Sequence, residues 1–463
     1  MPPNPMMHSC DQEGAGLWAG AAVTDLTPRG SVFLFGYPHV PRFSSGCHDP
    51  LECTALYVRS GDGSALFLAN DLIFVGRDLV REVRRQIVAA TGVPEEAIMI
   101  TTTHTHSGPT MVDYVSNAAD PVVPRADPAY LQWVGGQMVD AARTAMRRAQ
   151  PAEIGLAVGR ATGVGTNRHD PAGPSDPEVP VLVVRSTPQH EPLACMVVYG
   201  MHPTVLHEDS TLISADFPCF TRRFLHGGVL PPTCPILYHN GASGNQSPRH
   251  VTRANTFAEA QRLGERLGQA IADVLPAISF FPEAGIVCRR RFLELRPRVF
   301  PTADAAVRAE RQARERFENL RLTGATRQIV RTAECDWFGA EETAELARAA
   351  VDGRLETAVR HCSPAEIQLI AIGPWKFVAW PGEFFVEYAL AVKARSPSTF
   401  VITLANGELQ GYLVTSEASA RGVYEATNAV FCPSNGPLVV ETTLALLEST
   451  GEAVSMPANE SCG

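Results

Sequence analysis

A layered α/β fold, with a mixed sheet and flanking helices in one large domain, is predicted by three features of this 463-residue chain. Residues 55–102 read strand, strand, helix, strand, an order that lays a helix against a sheet. Apolar runs recur that stop abruptly at polar turns, as strands do when their ends carry a site. Apolar residues also return at helical spacing over 77–91 and 255–276, with charged residues on the other face.

In order, Leu17 to Val23 reads as a strand closing at Thr27-Pro28. Ala55 to Val58 and Ala65 to Ala69 are strands joined through Gly61-Asp62-Gly63, a hairpin signal. The helix 77–91 follows, then the β-branched run from Ile98 into Thr101-Thr102-Thr103. Asp127-Pro128 is a helix start, Asp as cap and Pro at the first helical position, for a helix running to about Ala149. Strands are expected at Ile154–Val158, Val179–Val184, Ala194–Tyr199 and Pro235–Tyr238, and a helix near Pro218–Leu225. Helices at 302–320 and 340–358 suggest a helical insertion or lid over 300–360. Strands over 366–372, 377–380 and 400–404 complete the series, with a helix from Phe384 to Val392.

Composition narrows the class. Hydrophobic residues make up 45% and charged residues 19%, an ordinary globular balance. A net charge of −10 argues against a general nucleic-acid binder, which presents a basic face. No run of about 18 apolar residues appears, so no membrane span is expected. The start, Met1-Pro2-Pro3-Asn4-Pro5, lacks the basic and apolar segments of a secretory signal; residues 1–16 read as a disordered leader and 451–463 as a flexible tail. The 11 cysteines include no Cys-x-x-Cys pair, which favours reduced thiols in a cytoplasmic protein over a zinc finger or disulfide framework.

The polar turns hold the chemistry. His104 and His106 are spaced i, i+2 after an apolar strand, so on an extended segment both side chains share a face. His202 repeats that layout after Ala194–Tyr199. Glu383, in Pro381-Gly382-Glu383, sits where a strand gives way to a helix, a position that favours a carboxylate. The Gly-rich turn Asn240 to Pro248 can bring backbone N–H groups close to a ligand. Imidazole and carboxylate are ligands of catalytic zinc, and the absence of His-Glu-x-x-His excludes an ordinary zincin. Asp71 and Asp216 are either histidine-orienting acids or turn acids, with the latter preferred.

An ordered set of motifs resembles the catalytic domain of the neutral (non-lysosomal) ceramidase family. The pieces are Thr103-His104-Thr105-His106-Ser107-Gly108-Pro109, Asn167-Arg168, His202-Pro203-Thr204, Leu212 to Asp216, Asn245-Gln246-Ser247-Pro248, Pro381-Gly382-Glu383-Phe384, Gly411 to Thr415 and Tyr424-Glu425. They span residues 17–450; the family's C-terminal immunoglobulin-like domain has no counterpart here. The resemblance implies one zinc ion per chain held by His104, His202, Glu383 and Tyr412, with His106, Arg168 and Tyr424 lining the reacting centre. It implies hydrolysis of an N-acyl amide, ceramide-like or another acylated amine of lipid metabolism, by zinc-activated water.

Departures from the family pattern bear on the substrate. Gly244-Asn245-Gln246-Ser247-Pro248 stands where ceramidases often have Gly-Asp-Val-Ser-Pro, and Val414 replaces the first threonine of a Tyr-Ile-Thr-Thr-like segment. A smaller or more polar amide, or an ester, therefore stays open. Two alternatives belong to other classes: a serine hydrolase or acyltransferase with Ser247 as nucleophile and His106 as base, which the missing Gly-x-Ser-x-Gly elbow disfavours, and a non-catalytic ligand-binding relative. Oligomeric state is not legible.

Overall fold

The computed structural model describes residues 16–37 and 39–449, with only the backbone of Arg327 and Gln328; except for Gly16, the expected leader and tail lie outside the described residues. Eight strands form the larger sheet: β1 (Leu17–Asp25), β2 (Glu52–Ser60), β3 (Gly63–Asn70), β4 (Ile98–Thr102), β5 (Gln150–Arg160), β6 (Glu178–Ser186), β7 (Pro192–Tyr199) and β8 (Ile236–Asn240). Their spatial order is β8-β7-β6-β5-β1-β2-β3-β4. The outer pairs, β8/β7 and β3/β4, are parallel and the inner ones antiparallel. A second sheet holds β9 (Ile286–Leu293), β10 (Ala365–Ile372), β11 (Trp375–Ala379) and β12 (Thr399–Ile402) in chain order, with only β11/β12 parallel.

The two sheets pack face to face, and helices cover their outer faces. Alternation along β2 shows how: Leu56 and Val58 enter the layer between the sheets, with Phe67, Met99, Ile370 and Phe377. Cys53, Ala55 and Tyr57 point the other way, onto α1 (Arg77–Thr91) and α2 (Pro128–Arg147). The same face of β6–β8 is covered by α3 (Phe217–His226) and α4 (Phe257–Val274). Strands apolar on both sides read as unbroken apolar runs, which is why they were legible without a period of two.

Most expected elements form. Asp127 caps α2, accepting from Ala129 N at 2.9 Å. The expected layer is doubled, because the strands beyond residue 286 build their own sheet. Helices α5 (Ala303–Leu322), α6 (Arg327–Asp352) and α7 (Arg354–Cys362) are inserted between the hydrogen-bonded neighbours β9 and β10. The helix expected at 340–358 is in fact two, broken at Gly353, whose φ of +82° a helix does not allow. α8 starts at Val386 rather than Phe384, and α9 (Ser416–Arg421), α10 (Tyr424–Thr427) and α11 (Asn435–Glu448) follow.

The parallel pairs matter most for position. β4, β7, β8, β11 and β12 all end on one rim, and the two sheets are bonded together there: Thr102 N donates to Leu404 O at 3.2 Å, Thr403 N to Asn240 O at 2.9 Å. Carboxyl ends of parallel strands are where α/β folds place their sites.

Candidate metal centre

His104 and His106 leave that rim on the loop after β4. Their convergence does not come from strand alternation, as the sequence suggested: β4 ends at Thr102, and His104 has φ +69°. The loop is fixed instead by its own backbone. His104 N donates to Leu72 O at 2.9 Å and Thr105 Oγ1 to Ser214 O at 2.6 Å. The rings nonetheless meet, Nε2 to Nε2 at 3.2 Å.

His202 follows β7. Its Nδ1 lies 2.7 Å from Ser243 O and 3.0 Å from Gln246 O. The Gly-rich turn thus serves the site with carbonyls that hold a ring, not with the N–H groups expected of it. Glu383 is also placed differently from its expected helix-start position. With Phe384 it makes a two-residue strand parallel to Tyr412-Leu413, Glu383 in register with Tyr412. Its Oε2 lies 3.0 Å from His202 Nε2 and 3.2 Å from His104 Nε2. Burial alone would raise its pKa; His104 and His202 outweigh burial and hold it well below the usual carboxylate range. Burial, partly opposed by Glu383, pushes His202 down to about 4, and burial with the charges of His104 and His202 pushes His106 well down.

Beside this cluster lies a buried ion pair. Arg168 Nε is 2.5 Å from Glu425 Oε1, and His169 Nε2 is 2.7 Å from Glu425 Oε2. Burial disfavours the Glu425 carboxylate, yet Arg168 and His169 bring its pKa down to about 2. The Arg168 guanidinium stands 5.3 Å from the Tyr412 ring centre, and the Tyr412 and Tyr424 rings are 6.4 Å apart. Burial raises both tyrosines well above their ordinary pKa.

One cavity of about 800 Å³ is lined by His104, His106, Arg168, His202, Glu383, Tyr412 and Tyr424, so the fold brings all seven expected residues to one place. An aromatic wall flanks His104: Phe74 lies 5.1 Å from its ring and 5.2 Å from Tyr114. Two solved structures share the whole arrangement of elements. Neutral ceramidase from Pseudomonas aeruginosa matches with a TM-score of 0.73 and 18% identity, over 94% of this chain and 75% of that one. A ceramidase complexed with C2 matches with a TM-score of 0.72 and 18% identity, over 94% of this chain and 76% of that one. The chain has the neutral ceramidase fold. Neither a family model nor a curated protein matches the sequence.

Within the ceramidase fold, the donor set fits a cation. His104 Nδ1 faces Ile73 O at 3.0 Å and His106 Nδ1 faces Gly36 O at 3.1 Å, as His202 Nδ1 faces its two carbonyls. A carbonyl only accepts, so each Nδ1 carries a proton, which leaves each Nε2 as the atom that would offer its lone pair to a bound cation. One ring nitrogen from each of His104, His106 and His202 lies within 4.8 Å of the others, and Glu383 Oε2 adjoins His104 and His202. Four acceptors facing each other in a buried site repel unless a cation lies between them. Gly36 is needed for this: a Cβ there would stand 2.4 Å from His106 Nδ1.

Other expected participants lie elsewhere. Ser247 is buried on the same cavity, but its Oγ accepts from Arg249 N at 3.3 Å, while His106 Nδ1 faces Gly36 O and its Nε2 faces His104 Nε2. Asp71 pairs with Arg222, and Asp216 caps α3, accepting from Phe217 N; neither orients a histidine. Backbone carbonyls take that role. Glu425, read in the sequence only as part of the Tyr424-Glu425 piece, and His169, given no role there, also belong to this region. Cys47 and Cys53 are both free thiols.

Proposed function

We propose that this chain is a zinc-dependent hydrolase of N-acyl amides, with one ion held by His104, His202, Glu383 and Tyr412. What supports this is the convergence of His104 and His202 Nε2 on the Glu383 carboxylate, with His106 beside them, inside a cavity, in a fold shared with neutral ceramidase. Zinc, when bound, supplies Lewis acidity that polarises a carbonyl and brings the pKa of a bound water to about 7. The carbonyls of Ile73, Ser243 and Gln246 keep the ligand rings oriented before any ion arrives. His106, neutral because it is buried and tethered to Gly36 O, accepts a proton at Nε2 and returns it to the leaving amine. Tyr424 and Arg168 donate to the carbonyl oxygen as it gains charge. The Arg168–Glu425 pair keeps the guanidinium charged in its buried position. The aromatic wall at Phe74 and Tyr114 takes the acyl chain.

The test is turnover of N-acyl amides of graded acyl length and varied amine half, with and without chelator. Cleavage that stops on chelation, returns with zinc and is lost in Glu383→Ala is expected. No cleavage of any acyl amide, or cleavage indifferent to chelation, contradicts the proposal.

A further inference from the structure

The cavity has a second wall of different chemistry. Besides Arg168 it is lined by Arg249, Arg253, Arg321 and Arg331. Arg331 is neutralised by Glu334 at 2.5 Å and Glu208 at 3.6 Å, and Arg168 by Glu425. The Arg249 guanidinium makes no ion pair, side-chain hydrogen bond or ring contact among the described residues. It enters from the short turn Pro248–His250, and its closest charged influences include Arg168 and Arg331. Arg249 is exposed on the cavity wall; its surroundings lower its pKa by desolvation, Cys335 and Glu425 act against that, and Arg168 and Arg331 act with it. Arg168 Nη2, in a side chain over nine-tenths buried, also lacks an acceptor. The carboxylates on this side of the cavity are engaged by Arg168 and Arg331, which leaves the Arg249 guanidinium and Arg168 Nη2 as donors an anion can complete.

Given the hydrolase function proposed above, we propose that Arg249, beside Arg168, is a subsite for an anionic oxygen group on the amine half of the substrate. Phe74 of the aromatic wall touches His104 and Arg168 touches Tyr412, so an acyl chain on the first side puts the amine half toward Arg168 and the arginines that line the cavity with it. The substrate class is then an N-acyl amide bearing a carboxylate or a phosphate, such as an N-acyl amino acid. A guanidinium fork matches either anion through two parallel N–H donors.

Binding separates this proposal from turnover. Calorimetry in chelator, so that no metal takes the anion, compares dodecanoylglycine, dodecanoylethanolamide and its phosphate ester. Wild type should bind at least one anionic ligand roughly tenfold or more tightly than the neutral one, and the better of the two arms identifies the anion. Arg249→Gln should erase that preference without lowering Tm, Arg249→Lys should keep part of it, and Arg249→Glu should reverse it. Equal binding of all three ligands, or a preference unchanged in Arg249→Gln, overturns the subsite. If the preference holds but no amide is cleaved, the hydrolase function fails and the anion site stands; cleavage with no charge preference does the opposite.

Discussion

The histidine cluster and the Arg168–Glu425 pair share one cavity but are held in opposite ways. Each imidazole is fixed by a backbone carbonyl: Ile73 for His104, Gly36 for His106, Ser243 and Gln246 for His202. Arg168 is held by a side chain from a distant helix through an ion pair at Nε, and its Nη2 has no acceptor. The first region is a finished cradle for a cation, set by rigid loops on a strand rim. The second is an unfinished one for an anion, set by a charge that must stay paired. The chemistry proposed here needs both: fixed geometry where the ion sits, and free donors where charge develops.

The largest effect should come from breaking the second region. Glu425→Gln leaves Arg168 buried without its counter-charge, and removing one partner of such a pair typically costs about 3–5 kcal/mol. A Tm lowered by many degrees is expected; Arg168→Met, which leaves the buried Glu425 with only His169 beside it, should also lower Tm and should reduce kcat by about 10²–10³. Thermal melts and steady-state kinetics on both variants check this; a wild-type Tm in both would deny that the pair is held by charge.

Next comes a change in the first region. Gly36→Ala places a Cβ against the His106 ring. Losing the orienting carbonyl should lower kcat by about 10–100-fold, with metal content unchanged, because His106 is not a ligand. Loss of metal in this variant would mean that His106 belongs to the coordination set.

How much of this could be read beforehand depended on range. Local signals were legible: the Gly61-Asp62-Gly63 hairpin, the Asp127 cap and the apolar strand runs all formed. α11 was not legible, because Asn435–Glu448 is apolar nearly all round and shows no helical stripe. β9 was hidden by Arg289-Arg290-Arg291, charges an edge strand tolerates. Motif order named residues that line one cavity, but not their geometry. The left-handed backbone at His104 breaks the alternation argument, and Glu425 meets Arg168 only through tertiary folding.

Ser247→Ala sharpens the contrast from outside both regions. Its hydroxyl caps a short turn, so a loss of about 1 kcal/mol of stability and nearly wild-type kcat are expected. A loss of turnover comparable to that of Arg168→Met would favour a serine nucleophile.

The smallest effect concerns pH. His239, bonded through Nδ1 to Thr101 Oγ1 behind the rim, has its pKa lowered to about 3 by burial. A depressed pKa means that its stabilising contribution is full above about 6.5 and is lost as pH falls toward 3. Urea unfolding across that window should show a steeper acid loss for wild type than for His239→Gln.

The central claim is that unprotonated Nε2 atoms and Glu383 surround a metal ion. Elemental analysis of purified wild type and His104→Ala tests it most directly. About one zinc per chain in wild type, and a small fraction of that in the variant, is the predicted result. A wild-type protein that cleaves acyl amides with no stoichiometric metal, or a His104→Ala protein that retains full zinc, would contradict it.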